Sequence, residues 1–290
     1  MAGLISDLGN IASLTNSTLI EVEEGLASYN ATFAQILSYI ASYRPFPRGH
    51  IDGLICSNAA DPDHDITIGI GECIDSTQTY LLELASAITK QIDAAWAPGN
   101  NAGGIDTGAV AANKVYYVFL IRKDSDGSID ALFSLSATAP TMPAGYTYKR
   151  RIGTVVIDSI SRIRGFIQIG DKFIYKQLVI NQAYVALAST DRTAYALSAP
   201  RNMEAIVRAT MLWNGTVSDV FMWFDSESKP DVQSSITNFD LYVHNQNGTG
   251  SVIKNIKTNA ARQIFARGVS TSIYIDISTL GWIDNRGRDA

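Results

Sequence analysis

The chain has 290 residues, of which 46% are hydrophobic and 18% are charged, and its formal net charge is −5. The length allows a substantial buried core, while the acidic balance argues against a nucleic-acid partner or an anionic membrane surface. No apolar run reaches the length of a membrane span, so we expect no membrane insertion. The first residues lack the basic segment of a signal peptide, so we expect no export by that route.

Residues 1–45 are predicted to form a helical segment for attachment or oligomerisation. Apolar residues from Leu4 onward recur at steps of four and three, which is typical of one seam along a coiled-coil helix. No proline interrupts the seam, and Pro45 and Pro47 end it. A second interpretation is two shorter helices folded back on the globular part of the chain. The predicted oligomer interface consists of the seam residues Leu4, Leu8, Ile11, Val22, Leu26, Tyr29, Phe33, Ile36 and Ile40.

Residues 46–176 are predicted to form a central β-rich module with one helix at about residues 76–97. Asp75 and Gln78 resemble the start of a capping box, and Pro98–Gly99 provides a stop signal. The apolar stripe of this helix would consist of Leu81, Leu84, Ile88 and Ile92.

The strongest strand signal of the central module follows this segment. The stretch Lys114–Ile121 is apolar on both faces, which is typical of a covered central strand. Asp126–Gly127 then predicts a tight hairpin to the strand Ile129–Ser136.

Residues 177–290 are predicted to form a C-terminal antiparallel β-sandwich or jelly roll. Stretches of alternating apolar and polar residues, such as Glu204–Trp213, follow one another with Asn-Gly and Ser-rich turns between them. The predicted fold class is therefore mainly β, with an N-terminal coiled-coil-like α-helix and a central α+β module.

Groups suited to catalysis or metal binding are sparse. Asp61–Asp65 gathers three carboxylates and a histidine, which favours either a hard-cation site or a turn, and Asp124–Asp130 only resembles the start of a calcium loop. Cys56 and Cys73 are predicted to be buried free thiols, with a single disulfide as the alternative. The chain has 3 histidines and no recognisable nucleophile or metalloprotease motif, so we predict no catalytic residue, no cofactor and no metal.

Aromatic residues of the C-terminal half are the other candidate functional groups. Most, such as Trp213, Phe224 and Trp282, are expected in the core, because sandwiches bury such side chains. Trp223 and Tyr242 are the candidate ligand-facing residues, since sandwich loops use exposed aromatic rings to grip sugars or proteins.

Three blocks of the sequence together resemble a module of tailed-bacteriophage virion proteins. They are Gly103–Gly108 (GGIDTG) with the aromatic strand VYYVFLI after it, Leu132–Val156 (LFSLSATAPTMPAGYTYKRRIGTVV), and the closing Gly281–Ala290 (GWIDNRGRDA). The resemblance covers roughly residues 50–175 and the last ten residues. The chain departs from the pattern in having KVYY where a tryptophan-containing strand is expected.

The resemblance implies a non-enzymatic virion structural protein of the tail-fibre, baseplate or head-fibre type, assembled in the host cytoplasm. Such proteins are commonly homotrimers that contact other tail, baseplate or capsid proteins and project β domains. Two alternatives belong to other classes: a host receptor-binding module for a cell-surface glycan or protein, and a capsule depolymerase.

The stretch that carries the resemblance is interpreted as a structural element that specifies how the module folds and packs. Gly103 and Gly104 predict a tight turn that Asp106 caps. The proline-stiffened loop after the hairpin is predicted to carry Tyr146 and Tyr148 onto a neighbouring surface, such as another subunit.

Overall fold

The structure is a computed structural model that describes residues 19–24, 27–32, 46–187, 189–213, 220–228, 230–231, 233, 235, 237, 239–244 and 248–288. The chain divides into two compact units, Met1–Pro47 and Arg48–Ala290. The residues described contain strands and turns but no helix. The prediction of a mainly β fold is therefore confirmed, and the prediction of helical segments is wrong.

The first unit contains an antiparallel hairpin of β1 (Leu19–Glu24) and β2 (Ala27–Thr32), in which Val22 lies opposite Tyr29. The helix predicted for residues 1–45 is therefore wrong across these strands. The segment is rich in β-branched, Ser and Asn residues, which favour strands or turns over helix and outweigh the spacing of the seam. The other seam residues, Leu4, Leu8, Ile11, Leu26, Phe33, Ile36 and Ile40, lie outside the residues described.

The second unit is built from short and medium-length antiparallel strands with two parallel pairings. In chain order its strands are β3 (Ile51–Gly53), β4 (Cys56–Asn58), β5 (Asp65–Ile68), β6 (Gly71–Ile74), β7 (Leu81–Leu84), β8 (Ile88–Ala95), β9 (Ala102–Ile105), β10 (Val115–Lys123), β11 (Ile129–Ser134), β12 (Tyr146–Val156), β13 (Phe166–Ile169), β14 (Lys172–Ala186), β15 (Thr193–Ala196), β16 (Glu204–Trp213), β17 (Val220–Asp225), β18 (Leu241–Val243), β19 (Thr249–Lys257), β20 (Gln263–Gly268) and β21 (Ile273–Ile283).

The central part of this unit combines a seven-stranded sheet, in the order β12-β10-β11-β9-β8-β5-β4, with a three-stranded sheet, β3-β6-β7. Strand β10 buries every side chain from Val115 to Ile121, so both of its faces are covered, as the sequence predicted. The predicted hairpin from β10 to β11 is confirmed, with Arg122 opposite Ile129 and Gly127 at a positive φ in the turn.

Residues 76–97, predicted as a helix, form β7 and β8 instead. Leu82 and Leu84 point into the core from β7, and alternate residues from Ile88 to Ile92 do so from β8. The middle inward position of β8 is Lys90, a charged residue that hides the two-residue period in the sequence. Asp75 accepts three backbone N–H bonds in the turn before β7, so it braces a strand connection and caps no helix.

The C-terminal part is sandwich-like, as predicted, with a five-stranded sheet β13-β14-β21-β16-β19 and a four-stranded sheet β15-β20-β17-β18 around a second core. Trp213 and Phe224 are buried in that core. The long strand β21 joins the two cores. Its Trp282 stacks on Phe173 of β14 in the central core at 5.1 Å, while its Ile275 lies in the second core. The five-stranded sheet therefore continues from one part to the other.

Lys90, the inward residue of β8 that obscured the strand pattern, forms a buried ion pair with Asp130. Nζ of Lys90 donates to the backbone carbonyl oxygens of Ala97 at 2.6 Å and Gly99 at 3.2 Å, and lies 3.1 Å from Oδ1 of Asp130. Asp130 in turn accepts the Gly99 N–H through its other oxygen, at 2.8 Å. All three ammonium donors thus have acceptors, and the pair pins the connection between β8 and β9 onto β11.

Cys56 and Cys73 are free and buried, which confirms the prediction of unbridged thiols. Burial disfavours the thiolate and raises the pKa of each thiol from 9.0 to about 12. The folded chain therefore keeps its thiols protonated at pH values where the unfolded chain has lost these protons.

We expect the free energy of unfolding to fall as pH rises above 9, by about 1.4 kcal/mol per pH unit for each thiol until the folded pKa is reached. Both folded pKa values lie above the unfolded ones, so this stability is fully present below pH 9 and is lost between 9 and 12. Urea unfolding from pH 8 to 10.5 would measure the slope. The Cys56→Ala, Cys73→Ala double variant should show a shallower slope, since the comparison cancels other groups such as Lys90; equal slopes would contradict the prediction.

Candidate functional site

The glycine-rich stretch that carries part of the resemblance lies in and after β9. A Cβ at Gly103 would sit 2.0 Å from the carbonyl oxygen of the last residue of β8, and one at Gly104 would sit 2.8 Å from the ring of Phe133. The predicted tight turn is wrong; the glycines allow β9 to lie close to its neighbours. Asp106 does brace the chain beyond the strand, because it accepts the N–H of Thr141 at 2.9 Å.

The two tyrosines after the proline-stiffened loop pack within their own unit. The ring of Tyr146 lies 5.3 Å from that of Trp96, and the ring of Tyr148 lies 4.3 Å from that of Tyr80, both edge-on. Arg122 adds a guanidinium 4.2 Å from the centre of the Tyr80 ring. These rings stabilise the central part of the chain; both tyrosines are only partly buried, and their predicted contact with a neighbouring surface stays a prediction.

The blocks Leu132–Val156 and Gly281–Ala290 meet in a buried polar network that we call the clasp (Arg151, Thr154, Trp282, Asp284 and Arg286). Nε of Arg286 donates to the Ile152 carbonyl oxygen at 2.8 Å, and its Nη2 donates to the carbonyl oxygens of Leu54 at 2.6 Å and Gly53 at 2.9 Å. Arg286 is almost fully buried, and this burial lowers the pKa of its guanidinium.

The carboxylate at the centre of the clasp belongs to Asp284, which is fully buried. It accepts Nη2 of Arg151 at 2.9 Å and the hydroxyl of Thr154 at 3.0 Å, while Thr154 accepts the indole N–H of Trp282 at 2.8 Å. The backbone N–H of Arg286 adds a further bond to Asp284 at 2.8 Å. Because most of these donors and acceptors satisfy one another away from water, Asp284 and Arg286 hold the shape of the clasp; of its members, Arg151 keeps a buried donor, its Nε, without an acceptor among the described residues.

The acidic stretches considered as cation sites serve as turns. Asp61 accepts the N–H of Asp63 at 3.1 Å and lies 3.1 Å from Nδ1 of His64. In the hairpin turn, Asp126 accepts both the N–H and the hydroxyl of Ser128. Within the described ranges, no three His, Cys, Asp or Glu side chains are grouped closely enough to hold a metal ion.

The candidate ligand-facing residues lie on neighbouring strands of the four-stranded sheet. Tyr242 of β18 is 41% exposed; its hydroxyl lies 2.9 Å from Nδ1 of His244, and its ring lies 5.9 Å from that of Phe239. Trp223 lies in β17 opposite Arg267. Among the side chains that the structure describes, Phe239, Tyr242 and His244 form an exposed aromatic group at this edge.

The outer face of the five-stranded sheet carries exposed isoleucines. Strand register places Ile180, Ser278, Arg208 and Ile253 in one row across four strands. Ile180 is 61% exposed and Ile253 is 63% exposed, at opposite ends of that row. We call this row the isoleucine face. The buried Ser278 and the exposed Arg208 lie between the two isoleucines, so the row is mixed in character and is not a continuous apolar patch.

A basic cleft that the sequence did not reveal lies where the central part meets the C-terminal sheets. It consists of two recesses of about 300 Å³ and 460 Å³ that share Tyr117 and Arg201. Five basic side chains and one acidic side chain line it: Lys114, Arg151, Arg201, Lys257, Arg262 and Glu204.

Two of the cleft's arginines are fixed by backbone and side-chain acceptors. Nε of Arg262 donates to the Ala199 carbonyl oxygen at 2.8 Å, and its Nη1 donates to the Asn113 carbonyl oxygen at 2.7 Å. Arg151 is held by the clasp, yet its buried Nε has no acceptor among the described residues. Burial also lowers the pKa of Arg262. The cleft thus presents positioned guanidinium groups with hydrogen-bonding capacity left over.

The remaining cleft cations are exposed. Lys114, Lys257 and Arg201 form no ion pair within the part of the chain that the structure describes, and Arg201 makes only a 3.5 Å contact with the Leu135 carbonyl oxygen. These residues come from separate strands and loops, so no spacing in the sequence brings them together. Only the fold could reveal this site.

Comparison with known proteins leaves the resemblance as an observation on the sequence alone. The chain matches no protein-family model and no curated protein sequence. None of the residues described belongs to a helix long and apolar enough to span a membrane.

Proposed function

We propose that the chain is a non-enzymatic structural protein of a tailed-bacteriophage virion, a homotrimer whose β body, Arg48–Ala290, projects from the particle. The first unit, Met1–Pro47, would serve attachment through a segment that includes the β1–β2 hairpin, in place of a helix. The protein would be made in the host cytoplasm and reside in the virion beside tail, baseplate or capsid proteins.

The observation that carries this proposal is the clasp. Two blocks that resemble the phage module are 130 residues apart at Thr154 and Asp284, and they are joined by a hydrogen bond in one buried network. If the two blocks resembled the phage module only by coincidence, we would have no reason to expect a contact between them. Shared folding of one module gives that reason, and supports treating the blocks as parts of one signature.

Mass spectrometry of gradient-purified particles of the phage that encodes the chain tests the proposal. We expect the protein in the particles at a copy number that is a multiple of three, and at the same ratio after a second purification. Detection in the lysate but not in particles would overturn the virion assignment.

The homotrimer predicts a solution mass of three times 31.4 kDa by light scattering. We expect Ile180→Asp combined with Ile253→Asp to give monomers at micromolar concentration, because burying a charge at each end of the isoleucine face opposes association. Ile160→Asp is the matched control, since Ile160 is 64% exposed in a loop outside this row. A trimer that persists in the double variant would place the interface elsewhere, and a monomeric wild type would contradict the trimer.

Host receptor binding is the second candidate function, and the exposed group around Tyr242 favours it. An aromatic ring beside a histidine at a sheet edge suits stacking on a sugar or contact with a protein. Binding of labelled protein to host cells, lost in Tyr242→Ala and kept in Ile160→Ala, would support this function. Equal binding by both variants would exclude the Tyr242 group as the contact.

A further inference from the structure

We propose that the basic cleft binds an anionic oligosaccharide, a sugar chain that carries carboxylate or phosphate groups. This site is separate from the exposed aromatic group around Tyr242. The proposal does not depend on the virion assignment, because binding is a property of the isolated full chain.

The first argument is the local reversal of charge. The whole chain carries −5, yet five basic side chains converge on the cleft and face only one acidic lining residue, Glu204. A third recess of about 320 Å³ provides the comparison. There Arg162, Arg164 and Lys176 are accompanied by Asp63 and Asp158, and Arg162 lies 3.4 Å from Asp63. That recess therefore has one cation more than its carboxylates, whereas the cleft keeps a larger surplus even after Arg151 is counted as the partner of Asp284, and an anion can meet this surplus.

The second argument is that the cleft is organised before a ligand arrives. Arg262 is held by two backbone carbonyl oxygens and Arg151 by the clasp, so little side-chain entropy is lost when either donates to a ligand. The buried Nε of Arg151 lacks an acceptor, and a buried donor without a partner is costly. A ligand oxygen in the cleft would meet the other guanidinium nitrogens, because this Nε is shielded from the surface, and would form charge-assisted hydrogen bonds with them.

The third argument concerns the kind of anion. The cleft is open and adds the amides of Asn202 and Asn285 to its cations, a lining that suits the many hydroxyl groups of a sugar chain. Its one aromatic residue, Tyr117, is fully buried, so it offers no ring on which a nucleic-acid base could stack. An oligosaccharide therefore fits the lining better than single-stranded nucleic acid does.

Isothermal titration of the full chain with tetragalacturonate, in 50 mM and 300 mM NaCl, tests the carboxylate arm. Inorganic pyrophosphate tests the phosphate arm, maltotetraose is the neutral sugar, and a dT12 oligonucleotide is the nucleic-acid probe. We expect binding of tetragalacturonate or pyrophosphate that weakens with salt, with no heat from maltotetraose and weaker binding of dT12. Absence of binding by both anionic probes, or tighter binding of dT12, would overturn the proposal.

Substitutions then locate the site. Arg201→Gln and Lys257→Gln should each weaken binding about fivefold, and the double variant about 20-fold, because each removes one exposed charge contact. Arg48→Gln and Lys172→Gln are matched controls on exposed residues outside the cleft and should bind as the wild type does. Equal losses in the controls, or none in the cleft variants, would show that the anion binds elsewhere. If the protein were absent from purified particles, the virion assignment would be wrong, but the binding of the anionic probes would still stand.

Discussion

Replacing Arg286 with alanine is expected to lower the free energy of unfolding by about 3–5 kcal/mol, the cost of removing one partner from a buried charged network. The change leaves the carbonyl oxygens of Gly53, Leu54 and Ile152 without the guanidinium, and it leaves Asp284 in a site that has lost a neighbouring cation. Chemical denaturation followed by tryptophan fluorescence would measure this loss, since Trp282 lies in the clasp.

Arg288→Ala is the matched control for this prediction. Arg288 lies two residues further on and pairs with Asp171, but both side chains are 36% exposed. Solvent screens such a pair, so its loss should cost less than about 1 kcal/mol. Similar losses in the two variants would show that the clasp contributes no more than a surface contact.

Lys90→Met is expected to destabilise the protein by a similar amount, about 3–5 kcal/mol, because it leaves Asp130 buried without its cation. The double variant Lys90→Met, Asp130→Leu should recover part of this loss, since an apolar pair of similar volume removes the isolated charge. Recovery should be incomplete, because the carbonyl oxygens of Ala97 and Gly99 also lose their donor.

A double-mutant cycle with Asp130→Leu as the second single variant would measure the coupling between the two residues. We expect a coupling energy of at least 1 kcal/mol, since the ammonium and the carboxylate lie 3.1 Å apart in a buried site. Strictly additive losses would mean that each residue acts only through its backbone partners.

Local patterns predicted the strands whose buried residues are apolar: a continuous apolar run predicted β10, and alternation predicted β16. It failed at β8, where the inward residue Lys90 depends on Asp130, forty residues later in the sequence, for its partner. The helix prediction also failed across β1 and β2, where the spacing of the apolar residues fits a helix while the residue types favour strands. Sequence patterns describe neighbours along the chain, and these two outcomes depend on distant partners and on competing propensities.

The candidate sites also differ in whether the sequence alone could reveal them. Tyr242 could be found because an exposed aromatic residue near a turn is a local signal. The basic cleft could not, because Lys114, Arg201 and Lys257 converge only after the central and C-terminal sheets have packed. The clasp could be predicted in part. Its two blocks were visible in the sequence, but the contact between them depends on the register of β21 beside β14 and β16.

The clasp also determines when parts of the chain can fold during protein synthesis. Arg286 donates to Ile152, and these residues are 134 positions apart. At ribosomal rates of about 5–20 residues per second, Arg286 is synthesised roughly 7–27 s after Ile152 of β12. Trp282 can take its place in the central core only after translation has passed through the C-terminal sandwich. A message cut short before the codon for Trp282 would yield chains that lack one half of the clasp, and we expect proteases to degrade such chains faster than the full-length chain.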